Sequence, residues 1–227
     1  MLHIAVTSFW QILSPRFRPI LLKVIGLTLA LLIVAGLAFS ALAAWLLDGF
    51  DPWIAMSATF AAGLAYIFVA AYLLAPISSV VAGFFLDEVA ERVESDDYPA
   101  DAPGVALPIM QALVMSGRFA LLIGAVNLGA LLLLLIPGVN MLVFFVANAY
   151  LLGREYFELA ACRFHGVAGA RALRRRHGVT VFLHGLLIAF LLAVPVVNLL
   201  TPLFGTVLMV HLQKRLARGQ VAEGAAN

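Results

Sequence analysis

The sequence is poor in charged residues and nearly without cysteine. Only 11% of its 227 residues are Asp, Glu, Lys or Arg, whereas about 25% is usual for a soluble domain. Hydrophobic residues make up 64% of the chain, and the mean hydropathy is +1.06. A soluble globule of this size could not bury so much apolar surface, which excludes soluble enzymes, nucleic-acid-binding proteins and disordered chains. The single cysteine, Cys162, cannot form an internal disulfide, so a disulfide-stabilised secreted domain is excluded as well.

The sequence also lacks the motifs of the common catalytic sites. It has no phosphate-binding Walker loop, no zinc-protease motif and no G-x-S-x-G nucleophile elbow. Cys162 and His165 have the spacing of one pair of metal ligands, but no second pair accompanies them. We therefore expect no enzyme activity, no cofactor and no metal site.

Long uncharged runs dominate what remains, and they predict a single all-α integral membrane domain. A first helix over 19–47 would measure about 43 Å at 1.5 Å per residue, which exceeds the ~30 Å hydrocarbon core. A second helix is expected over 52–94, because its apolar run continues into an acidic amphipathic stretch. Residues 2–14 are weakly amphipathic with Trp10 on the apolar side, which favours a short interfacial helix over a frayed start of the first span. The basic residues that precede a 24-residue apolar run are not typical of a cleavable signal peptide.

Two helical hairpins are predicted in the second half, over 119–153 and 178–213. Each has an apolar arm, a turn and a second apolar arm, and the turns are Pro137-Gly138-Val139-Asn140 and Pro195-Val196-Val197-Asn198. Arms of 15 to 18 residues fall short of the roughly 20 needed to cross a bilayer. The hairpins either penetrate partly, with turns shielded by protein, or cross completely with turns in the headgroups. Arm length leaves both open.

The stretch over 154–177 carries six arginines against two glutamates and predicts an interfacial helix. The turns at 48–51, 137–140 and 195–198 contain no Lys or Arg, so hairpins would put all basic residues on one side. By the positive-inside rule that side is the cytoplasm, which places both termini there.

The sequence resembles the CysZ sulfate-permease family of the etoposide-induced-protein-like superfamily over nearly its whole length. The resemblance is carried by Leu152-Gly153-Arg154-Glu155-Tyr156, the arginine-rich stretch at 171–176, Pro195 with Asn198, and Pro202. It implies two long transmembrane helices with two partly penetrating hairpins, in a bacterial-type inner membrane. It also implies sulfate import for cysteine biosynthesis. Partly penetrating turns need shielding, which favours a homo-oligomer surrounded by membrane lipid. The alternative is a non-transporting scaffold or regulatory protein that uses its arginine-rich helix.

The resemblance points to Arg16, Phe17 and Arg18 as the anion-binding residues. In the family's Gly-Leu-Arg motif with a following Arg, Phe17 takes the apolar position and Arg18 that of the first arginine. Arg16 stands where the family has glycine, and Pro19 where it has the second arginine. Arginine beside a helix N-terminus suits a tetrahedral oxyanion. The alternative is that both arginines anchor the helix to anionic lipid.

Seven other residues are candidates for a polar pathway through the protein. His184 is the only ionisable side chain well inside an apolar arm, and its alternative is a hydrogen bond between helices. Ionisable groups at membrane depth are usually functional, although solvated positions are equally open for the rest. The full set comprises Glu88, Glu91, Arg92, Arg154, Glu155, Tyr156 and His184.

Overall fold

A computed structural model describes residues 2–133, 140–194 and 197–225 of the chain. All regular structure in these ranges is helical, as the sequence predicts. The elements are α1 (Leu2–Ile12), α2 (Arg18–Leu46), α3 (Pro52–Gly83), α4 (Leu86–Asp97), α5 (Ile109–Leu133), α6 (Asn140–Arg176), α7 (Gly178–Leu192), a 3-10 turn (Val197–Leu200) and α8 (Thr201–Ala225). Of the turn predicted at 137–140, residues 137–139 lie outside the described residues. Of the turn predicted at 195–198, residues 195 and 196 lie outside them.

Contacts divide the chain, expected as one domain, into two compact units. One consists of Arg18–Phe85, and the other of Met1–Phe17 together with Leu86–Asn227. The first unit contains α2 and α3. The second contains α1, α4 to α8 and nearly all of the charged residues.

The unit of α2 and α3 is a helical hairpin with the dimensions of two membrane spans. By length and composition, Arg18–Leu46 and Pro52–Ala71 can each cross a bilayer, and no side chain in the apolar window of the second is buried. The hairpin turns at Gly49, whose φ of 86° is accessible mainly to glycine. Asp51 then caps α3 by accepting a hydrogen bond from Trp53 N at 2.9 Å. As predicted, the protein therefore has two helices that are long and apolar enough to cross a membrane.

The expected helix over 52–94 is instead two helices. α3 ends at Gly83, and Phe84 and Phe85 form a turn before α4 begins at Leu86. The physical reason is the change of pattern: α3 is apolar on all sides, whereas α4 buries only one face, through Val89, Ala90 and Val93. The buried face of α4 packs within the second unit, to which α3 does not belong.

The stretch over 154–177, which was predicted to be a separate interfacial helix, is part of a longer helix. α6 continues from Asn140 through this stretch, and its helical geometry is interrupted at Gly166, with φ 62° and ψ 178°. A change from apolar to charged side chains at Arg154 leaves the helical backbone unchanged, whereas the positive φ of Gly166 departs from helical geometry. Phe145–Arg176 and Gly178–Leu192 lie at 92° and form a broken pair that could count as a third span.

Candidate functional site

The arginine-rich part of α6 forms an ion cluster around one carboxylate. Glu158 has a side chain only 6% exposed, and it accepts a hydrogen bond from Arg174 Nε at 2.7 Å and another from Arg154 Nε at 3.3 Å. Arg171 Nε lies 3.8 Å from the second Glu158 oxygen. Three guanidinium groups thus share one negative charge. We call these four residues the Glu158 cluster; it carries a net charge of about +2, since arginine stays protonated in proteins.

A second cluster reverses this balance, with one arginine among three acids. Arg163, whose side chain is 3% exposed, bonds to Glu94 Oε1 at 2.8 Å and to Asp87 Oδ1 at 2.6 Å. Glu91 Oε1 lies 3.8 Å from Arg163 Nη2. We call these four residues the Arg163 cluster. It joins α4 to α6.

The loop between α4 and α5 closes over the Arg163 cluster. Gly104 N donates to Glu94 Oε2 at 2.9 Å, and Val105 N donates to Arg163 O at 2.8 Å. A Cβ atom on Gly104 would lie 2.9 Å from Arg163 Cβ, so only glycine fits here without displacement. The loop is thereby fixed against α6.

The same loop is tied to α8 by Asp101. Its carboxylate accepts a hydrogen bond from Lys214 Nζ at 3.0 Å and one from Arg218 Nη2 at 3.3 Å. The hydrogen bond and the positive charge of Lys214 hold the pKa of Asp101 below its usual value of 3.8, with a smaller contribution from Arg218. Nearby, Tyr98 Oη lies 2.8 Å from His211 Nδ1. Burial is the main cause that raises the pKa of Tyr98, and the negative charge of Asp97 is the second.

Two predicted pathway residues on α6 and α4 lie in these clusters. Arg154 belongs to the Glu158 cluster and Glu91 to the Arg163 cluster. On α4, Glu88 is half-exposed and Arg92 is exposed. The predicted pathway residues on α4 and α6 therefore do not form a single site.

The remaining pathway candidates lie on α6 and α7. Glu155 is half-buried, and the ring of Tyr156 packs so closely on α8 that a Cβ on Gly205 would meet it at 2.8 Å. His184 is buried, and its Nδ1 lies 2.7 Å from Thr180 O, one turn earlier on the same helix. Its Nε2 is buried without a hydrogen-bond partner in the part of the chain that the structure describes. The hydrogen bond seen for His184 is thus within α7.

The predicted anion-binding residues differ in exposure. Phe17 is fully buried. Arg16 is 68% exposed and lies 3.5 Å from Asp96, which makes a weak, solvated pair. Arg18 is exposed at the first residue of α2.

Neither Glu158 nor Arg163 was predicted from the sequence as a site residue. The signal available was charge complementarity: acids crowd 87–101 and arginines crowd 154–177, so the two stretches could have been paired. Among the described residues, no group of three His, Cys, Asp or Glu side chains converges to hold a metal ion.

These features define an all-α integral membrane protein with a charged, tightly bonded second unit. The chain belongs to the family described as sulfate transporter CysZ/etoposide-induced protein 2.4, which matches residues 4–202. The family is one of transporters rather than enzymes. No curated protein and no solved structure matches the chain.

Proposed function

We propose that this chain is a multi-pass permease or channel for a tetrahedral oxyanion, with sulfate as the substrate. The observation that carries the proposal is membership of a sulfate-transporter family over residues 4–202, a range that includes both spanning helices. The proposal extends to a bacterial-type inner membrane and to import for cysteine biosynthesis.

We keep Arg16, Phe17 and Arg18 as the proposed anion-binding residues. Their chemistry supports this, because Arg16 and Arg18 are both exposed and therefore accessible to an ion from water. The first N–H groups of α2, which begins at Arg18, have no partner within the helix and can donate to an oxyanion. A buried Phe17 would hold the intervening backbone in place.

The proposal includes a homo-oligomer in membrane lipid. Its support is the amount of exposed apolar surface on α2 and α3, since large side chains such as Trp45, Phe60 and Phe68 are 70% exposed or more. Lipid tails or another copy of the chain would have to cover such a surface.

Uptake of radiolabelled sulfate into proteoliposomes tests the proposal. We expect the unaltered chain to equilibrate sulfate across the membrane, and Arg16→Gln with Arg18→Gln to weaken sulfate binding by about a hundredfold, since each charge-assisted contact contributes roughly 1.5–3 kcal/mol. The double Lys variant should be intermediate, because it keeps the charges but loses the planar fork. Arg175→Gln, which removes an exposed arginine from α6, is the matched control.

The two ways of failing are distinguishable. Unchanged sulfate affinity in a correctly inserted double-Gln protein would reject these residues as the site. Absence of sulfate flux with the unaltered chain would reject the permease and favour a scaffold or regulatory protein.

A further inference from the structure

A cavity of about 290 Å³ opens where α6 meets α7. Two of its lining residues, Arg154 and Arg174, belong to the Glu158 cluster, and a tyrosine and the first residues of α7 form the rest. The complete lining comprises Tyr150, Arg154, Arg174, Gly178, Val179, Val181 and Phe182.

The charge at this cavity is unbalanced. Arg154 and Arg174 line the cavity and both bond to Glu158, so two positive charges there share one negative charge. The side chains of Arg154 and Arg174 are 21% and 15% exposed, so they are largely desolvated. Partly buried positive charge in excess of its internal partner favours binding of an anion.

The N-terminus of α7 adds to the attraction at the same place. Gly178 is the first residue of this 15-residue helix and lines the cavity. In the described structure, the side chain of His177 makes no capping hydrogen bond to the helix. The first N–H groups of α7 therefore have no partner within the helix, and they carry the positive end of its dipole. A Cβ on Gly178 would meet no atom within 4 Å, so the approach to these groups is open.

The other wall of the cavity is apolar. Val179 is 75% exposed and Phe182 is half-buried, and both lie within one turn of Gly178. A small, fully hydrated anion gains nothing from such a wall. An amphiphile whose headgroup carries the anion can use both walls at once.

We propose that this cavity binds an anionic phospholipid. Its phosphate would accept hydrogen bonds from Arg154, Arg174 and the α7 N-terminus, and an acyl chain would lie against Val179 and Phe182. The site is separate in the sequence from the anion-binding residues proposed for transport, and it does not depend on sulfate being the substrate.

Native mass spectrometry of the full chain, released from micelles containing phosphatidylglycerol or phosphatidylcholine, measures this binding. We expect the unaltered chain to retain phosphatidylglycerol in preference to phosphatidylcholine. Arg154→Gln should weaken phosphatidylglycerol binding by about tenfold or more, because it removes one charge-assisted contact. Gly178→Leu should do the same with every arginine in place, because its side chain would occupy the space before the α7 N-terminus. Arg175→Gln, with the same change of charge at an exposed position, should bind as the unaltered chain does.

The outcomes separate the alternatives. Equal loss in Arg175→Gln and Arg154→Gln would show attraction by overall charge and would overturn the site. Unchanged binding in Gly178→Leu would overturn the assignment to this cavity. Displacement of phosphatidylglycerol by sodium sulfate with the same dependence on Arg154 would show that a free oxyanion is the ligand, which would overturn the lipid assignment.

Discussion

At the scale of single residues, the least replaceable charge among those described is that of Arg163. Its side chain is 3% exposed, and so is nearly buried together with its partner Glu94, whose side chain is 5% exposed. The partner Asp87 is 66% exposed, so water can solvate it if the arginine is lost. The energetic consequence of losing Arg163 therefore falls mainly on Glu94, whose carboxylate would be buried without a cation.

Arg163→Met tests whether losing this arginine leaves Glu94 as a buried, unpaired charge. We expect it to lower the free energy of unfolding by about 3–5 kcal/mol, the usual cost of breaking a buried ion pair on one side. Adding Glu94→Leu should recover much of the loss, because two apolar side chains then replace the two charges. Arg92→Met, at an exposed position of α4, should change stability by about 0.5 kcal/mol or less. Unfolding of the detergent-solubilised chain, followed by circular dichroism, measures all three; equal effects of Arg163→Met and Arg92→Met would contradict the proposed importance of the cluster.

At the scale of elements, α6 and α7 approach each other unusually closely through glycine. A Cβ atom on Gly185 would overlap Ala149 O, and one on Gly153 would lie 2.9 Å from Val181 O. Small residues on facing helices permit such backbone contact, which is a common way for helices to associate in membranes. This contact holds α7 against α6, and with it the cavity between them.

Gly185→Ala should disrupt that contact. We expect a loss of about 1–3 kcal/mol in the free energy of unfolding, because the methyl group would have to displace backbone rather than a flexible side chain. Gly117→Ala in α5 is the matched control: a Cβ there meets no atom within 4 Å. It should be neutral or stabilising by up to about 1 kcal/mol, since alanine is the better helix former. Thermal unfolding in detergent compares them, and equal stability of both variants would rule out the close contact.

The helices were predictable from the sequence to different degrees. The turn at Asp48–Asp51 is marked by charge, glycine and proline together, so the end of α2 and the start of α3 could be placed within a few residues. The second arm of the first hairpin was predicted to end at 153, but α6 continues to Arg176. The prediction was wrong because the composition changes after 153, whereas the helical backbone does not. Gly166, which does interrupt the helix, is one of several glycines, and only the packed structure shows that it adopts a positive φ.

At the scale of the whole molecule, fold class was predictable because the bilayer permits few solutions. An apolar run must satisfy its own backbone hydrogen bonds, which leaves a helix as the structure of α2 and α3. The Arg163 cluster was harder to predict, because it joins residues distant in the chain. Arg163 lies 69 positions from Glu94 and 76 from Asp87, and no local pattern records which acid meets which arginine.

The orientation of α2 and α3 follows from their few charges. In residues 18–85 the only basic residues are Arg18 and Lys23, and the only acids are Asp48 and Asp51. From Lys23 to its last residue, Leu46, α2 rises by 23 residues, or about 35 Å, and Asp48 follows in the turn. That is enough to put the two charge groups on opposite sides of a ~30 Å core.

Because positive charge is retained in the cytoplasm, we expect the Asp48–Asp51 turn to face the periplasm and both termini to face the cytoplasm. Phe50→Cys, at a side chain 57% exposed, should react with a membrane-impermeant maleimide in intact cells, whereas Arg175→Cys should react only after permeabilisation. The native Cys162 is 4% exposed and should give little background, and a Cys162→Ala parent removes it. Reporters fused before Met1 and after Asn227 should both be active only in the cytoplasm. Labelling of Arg175→Cys in intact cells, or a periplasmic C-terminus, would require an arrangement of crossings in which the basic residues lie on both sides of the membrane, contrary to the orientation proposed here.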